Sequence, residues 1–287
     1  MAVLRTVLPM LIVTALLAAV LLRRPPVAVP ERLGGVARST RRWRLAGLLV
    51  GLAAAATSAQ SGSLGRGVLL AGPLLALCVL LGVVAGELGV RAPAGARRSA
   101  SVEVRRVGDY LPRLLTSAVG AATVVLLALL AFTSVIGAAD DLGRPGRSLT
   151  RACTALSVEG RGPWPGSFYT WPLVAVVLIG VALAGVALVA VVRRPRQGED
   201  AVLDDALRRD VVTGVVAAVG LLVTVPLVGV GLVASAGLLQ ICAAPAAWTV
   251  VGTILLAVVP LSLLLGIWCA AVIAAPGRVQ PVEPVRS

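Results

Sequence analysis

Read for apolar and polar positions alone, the chain is a succession of long charge-free stretches separated by short charged ones. The stretches lie between Arg5 and Arg23, Arg44 and Arg66, Arg66 and Glu87, Arg113 and Asp140, and Arg161 and Arg193. A last and much longer one runs from Asp210 to Arg278 and is divided by the polar turn Gln240-Ile241-Cys242 and by Pro245. A helix crossing ~30 Å of hydrocarbon needs ~20 mostly apolar residues, because lipid leaves its backbone N–H and C=O groups to be satisfied internally. The pattern predicts an all-α, polytopic helical membrane bundle forming a single membrane domain. It has about seven transmembrane helices, over residues 6–22, 45–61, 67–87, 114–137, 171–192, 211–238 and 247–274. One outer loop, 138–170, and cytoplasmic loops over 88–113 and 193–210 complete the prediction.

Composition agrees with lipid as the solvent: 58% of the 287 residues are hydrophobic, too many for a soluble globule to hide. All 26 basic residues are Arg, and the formal net charge is +13. With no basic soluble domain to carry it, this charge does not predict a nucleic-acid partner; it orients the bundle. Twenty arginines fall in the stretches 23–44, 91–113 and 193–209 and in the tail, against six elsewhere. Arginine accumulates on short cytoplasmic loops, so the amino terminus is expected outside and the carboxyl terminus inside. The first apolar run lacks a small-residue cleavage site before Arg23-Arg24 and reads as an uncleaved anchor.

The remaining six spans form three hairpins, each led in by Arg. Gly47/Gly51 and Gly82/Gly86 are small residues four apart, which let helix backbones approach in lipid. Pro73, Pro226 and Pro260 interrupt spans and bend them. Tyr110 sits where the loop 88–113 re-enters the membrane and is expected at headgroup depth. Residues 198–210 read as an amphipathic helical lead-in with acids early and Arg208-Arg209 late, the order a helix dipole favours, and with a solvated charged face.

Candidate chemistry is sparse. Asp200 and Asp204, one turn apart, could share Mg²⁺ with a diphosphate, as in intramembrane prenyltransferases, but a facing aspartate cluster is missing. Without His there are no His-based zinc sites, proton relays or triads, and the four cysteines form no C-x-x-C. No catalytic, cofactor-binding or metal-binding residue is expected, and no cofactor.

The most water-suited segment is Thr150 to Pro172, which gathers Trp164, Phe168, Tyr169 and Trp171 behind Cys153. Cys78 and Cys269 fall within spans and read as apolar fillers. Cys153 and Cys242 fall in outer loops, where a disulfide is permitted, and are expected to pair. Trp164, Trp171 and Trp248, with Tyr110, are expected as interfacial anchors.

VEVRRVGDYLPRLL, DDLGRPGRSLTRACTAL and GPWPGSFYTWPL resemble stretches of uncharacterised multi-pass membrane proteins of actinobacteria. The resemblance implies a bacterial plasma-membrane address and carries over no functional residue. The expected function is that of a non-enzymatic accessory or interaction subunit of the envelope, whose partners are the lipid bilayer and a membrane or cytoplasmic protein. The alternatives are a permease for a small or lipid-like solute, bending at Pro226 and Pro260, and a prenyltransferase-like enzyme resting on Asp200 and Asp204.

Overall fold

A computed structural model describes residues 27–29, 31–61, 63–89, 107–193, 201–274 and 279–281. Six helices dominate it: α1 (Glu31–Gln60), α2 (Arg66–Leu88), α3 (Arg113–Ile136), α4 (Ser167–Arg193), α5 (Ala201–Gln240) and α6 (Ala246–Ala274). Four short strands accompany them. β1 (Val27–Val29) pairs in parallel with β4 (Val279–Pro281), and β2 (Leu149–Thr154) pairs antiparallel with β3 (Ser157–Arg161).

Among the described residues, α2 to α6 are the five helices long and apolar enough to cross a membrane. The expected span 6–22 lies outside the described residues. The expected span 45–61 forms the second half of α1, whose charged first half and Thr-Ser-Ala-Gln end lower its mean hydropathy.

The bundle is organised around α5. Its apolar window is 72% buried, against 39% or less for the other four, and it packs against α2, α3, α4 and α6. At ~1.5 Å per residue its 40 residues extend for about 60 Å, twice the hydrocarbon thickness. Leu222, Val223, Leu227, Val230, Ala234 and Leu238 supply its inward faces to the main core. The expected lead-in, 198–210, is helical from Ala201 and runs into the apolar part of α5 without a break.

α1 and α2 form the closest pair, and small residues explain why. A Cβ on Gly47 would lie 2.6 Å from the Cys78 carbonyl oxygen, and one on Gly82 would lie 2.5 Å from that of Trp43. Any larger side chain would force the two backbones apart. The tight turn between them holds Leu64 at φ 57° and Gly65 at φ 85°. Leu64 tolerates this uncommon conformation where its carbonyl accepts the Tyr169 hydroxyl at 2.7 Å.

At the end of the bundle remote from the β2–β3 hairpin, ionisable groups are buried in pairs. Arg208 is 0% exposed and Asp204 1%, joined at 2.9 Å. The Arg208 guanidinium also donates to the carbonyls of Val191 and Val192, acceptors that the last turn of α4 leaves without helical partners. This corrects the sequence expectation of a solvated charged face, since those open carbonyls draw Arg208 inward and Asp204 follows to neutralise it. Tyr110, expected at headgroup depth, is 8% exposed and donates to Asp205 Oδ1 at 3.0 Å, which fixes the approach to α3 against α5. Arg44 reaches Asp210 at 3.6 Å and ties α1 to the same helix.

Candidate functional site

The hairpin segment between α3 and α4 begins with a loop folded around Asp140. Its Oδ1 accepts the backbone N–H groups of Leu142 and Arg144, and its Oδ2 receives Arg144 at 2.8 Å and Arg147 at 2.6 Å. Desolvation opposes the charge of Asp140, but these donors outweigh it and hold the carboxyl below its usual range. Gly146, at φ 71°, lets the loop fold back on Gly166, whose N–H donates to the Gly146 carbonyl at 3.0 Å. A Cβ at Gly146 would meet Ser167 N at 2.4 Å, so conformation and space both require glycine there. β2 and β3 follow, turning at Ala155-Leu156.

Contacts run from this segment to almost every helix. Trp164 is 1% exposed, and its indole N–H donates at 2.8 Å to the carbonyl of Thr133 in the last turn of α3. Its ring occupies the space left by Gly237, where a Cβ would stand 2.8 Å away. Pro172, inside α4, has no N–H to give the carbonyl of Phe168 four residues earlier. Arg66 supplies the donors instead, through Nε at 3.0 Å and Nη2 at 2.6 Å, with its guanidinium 4.0 Å from the Phe168 ring centre. Arg161 donates to Gln240 at the end of α5 at 3.0 Å and pairs with Glu159 at 2.7 Å.

Cys153 and Cys242 are joined as a disulfide, with their Cα atoms 5.5 Å apart. Glu159 lies beside the bridge and accepts the Cys242 backbone N–H at 2.8 Å. That hydrogen bond, and the Arg161 guanidinium against the opposing effect of burial, hold the Glu159 carboxyl below its ordinary range. Cys153, Glu159 and Cys242 bring three potential metal-ligating atoms within 4.8 Å of one another. With the sulfurs bonded to each other they offer no thiolate, and a carboxylate alone does not make a transition-metal site. Cys269 is buried and Cys78 half-buried, both unbridged.

The expected anchors divide. Trp171, on the first turn of α4, is 73% exposed on the surface of the bundle. Trp248 is half-buried, with the Arg151 guanidinium 5.5 Å from its ring centre. Trp164 is no surface anchor, because the open carbonyl of Thr133 and the gap at Gly237 draw it into the core. Asp200 lies outside the described residues, and Asp204 is held by Arg208. Pro226 and Pro260 lie within α5 and α6. Sequence reasoning missed Arg66, although a lone arginine between two apolar runs, with a proline in the first turns of a later span, was a usable signal.

Beneath Pro163, Trp164 and Pro165, a cleft of about 320 Å³ separates the start of α2 from α5, with Val68, Val225 and Gly229 on its walls. Above it, a second cleft of about 610 Å³ shares Pro163, Trp164 and Val233 and is lined by Glu159, Arg161 and Gln240. Both volumes fall within the range of small-molecule sites. No protein-family model, curated protein or solved structure matches this chain. The functional reading therefore rests on these residues alone.

Proposed function

We propose that the chain is a non-catalytic integral membrane protein of the bacterial plasma membrane, with seven spans and its amino terminus outside, and that it serves as an interaction or accessory subunit of the envelope. The observation that carries this reading is the hairpin segment. It is anchored to the bundle by the disulfide and by buried hydrogen bonds, yet holds Leu156 99% exposed and Val158 72% exposed at its far end. Rigid support beneath exposed apolar residues is what a binding surface needs, since little ordering remains to oppose association. Among the described residues the β2–β3 sheet has two strands, so each also presents an edge on which an extended partner segment can pair.

A photo-reactive residue at position 156, introduced in living cells, tests the interaction. A protein adduct of one discrete mass, lost on Val158→Asp, is expected; a diffuse set of adducts or none would sink the reading. Orientation is tested separately, with Cys78 and Cys269 replaced by Ala and the disulfide kept. An impermeant thiol reagent added to intact cells should label Asp141→Cys and leave Arg209→Cys unlabelled, and the reverse pattern would invert the topology.

The permease reading draws support from the cleft beside Val225 and Gly229, although neither Pro226 nor Pro260 lines it. The prenyltransferase-like reading has less support, since Asp204 is buried in an ion pair with Arg208 and Asp200 lies outside the described residues.

A further inference from the structure

The two clefts share Pro163, Trp164 and Val233 and so lie end to end against the same residues, as a groove of two parts that differ in character. Its lower part is walled by valine, leucine and glycine, and its upper part ends at Glu159, Arg161 and Gln240. It opens sideways: Val68 is 64% exposed, Val225 44% and Val233 42%, all on helices of membrane-spanning length. From Val225 to Gln240 the groove follows α5 for about 20 Å. That is half of the ~40–45 Å between the two headgroup surfaces of a bilayer, the reach of one lipid within its own leaflet.

We propose that this groove is a binding site for a single membrane phospholipid, its acyl chain against Gly229 and its phosphate at Arg161. A packed helix would fill the lower part but would offer nothing to the polar upper part; an amphiphile satisfies both. Arg161 gives Nε and Nη2 to Glu159 and Nη1 to Gln240. Of the five N–H donors of a guanidinium, two remain for a phosphate among the described residues, and the neighbouring groups hold the fork in place. The bilayer is as apolar as the lower groove, so hydrophobicity does not drive the chain inward; close packing and the headgroup contacts select it. Gly229 leaves the space, since a Cβ there would have only Leu69 Cδ1 near it, at 3.8 Å. The site does not depend on the hairpin having a protein partner, and its test leaves that question untouched.

The test reconstitutes the full chain in phosphatidylethanolamine vesicles containing a phosphatidylglycerol with a diazirine in one acyl chain. After photolysis, adducts should concentrate on the peptides spanning 64–69 and 225–233. A Cβ at position 229 meets no clash, and Gly229→Leu extends a side chain from there into the groove, so it should lower that labelling at least about fivefold, while outward-facing residues of α6 label as before and the melting temperature holds. Arg161→Gln should lower capture of the phosphatidylglycerol probe but not of a diacylglycerol probe with the same tail. Labelling that follows exposure over all helices and ignores Gly229→Leu would overturn the proposal. A photo-reactive residue at Val68 that captured residues 6–22 of the same chain would overturn it too, by showing the groove filled from within.

Discussion

At the scale of single residues, the recurring problem is a backbone carbonyl that a helix cannot satisfy, and the recurring answer is one long side chain from another element. Trp164 answers it for Thr133, Arg66 for Phe168, and Arg208 for Val191 and Val192. Trp164→Phe keeps a ring beside Gly237 but removes the indole donor and leaves a buried carbonyl without it. That should cost about 1–3 kcal/mol in unfolding free energy, measured by denaturation of the purified protein in one fixed detergent. A change within experimental error would mean that another donor replaces it. Such pairings were hard to see in the sequence because the partners lie 31 and 102 residues apart. Legible signals were local ones: glycines at four-residue spacing announced the close contact of α1 with α2, whereas Trp164 between two prolines looked like any headgroup tryptophan.

At the scale of elements, the charge-free runs located α2 to α6, because lipid demands length and apolarity and both can be counted. The charged lead-in of α5 was legible as an amphipathic helix, but the burial of Asp204 and Arg208 was not, because it is owed to the open end of α4, which no sequence window contains. Arg208→Met would take the guanidinium from the buried Asp204 and the donor from the α4 carbonyls, at a cost of about 3–5 kcal/mol. Adding Asp204→Leu should recover much of that loss, since replacing both members of a buried pair with apolar groups is often close to neutral. Thermal unfolding of the single and double variants decides this; a double variant no more stable than Arg208→Met would show that carbonyl capping, not charge burial, dominates. Of the candidate site, the cysteine pair could be inferred from compartment and number, while the groove could not, because its walls come from α2, α5 and the hairpin segment together.

At the scale of the whole molecule, the disulfide closes a sequence separation of 89 residues and joins the hairpin segment to the turn after α5. In the chain-entropy model a loop of that length contributes roughly 4.6 kcal/mol, less where the bilayer already restricts the unfolded chain. Reduction, or Cys153→Ser with Cys242→Ser, should therefore lower the melting temperature and speed protease cleavage at the Ala155-Leu156 turn by loosening the backbone around it, with the helical content unchanged by circular dichroism. Equal protease resistance before and after reduction would show that Trp164 and the Asp140 loop hold the segment unaided.

One consequence follows from α5 alone. Its first turns grip the end of α4 through Arg208, and two residues beyond its last turn Cys242 is bonded to the hairpin segment. A single rod, with one softened joint at Pro226, thus has a handle fixed at each end. The two handles stand about 50 Å apart along the helix, so a tilt imposed on the hairpin segment reaches the far ends of α4 and α5 through that length, less what the joint at Pro226 absorbs.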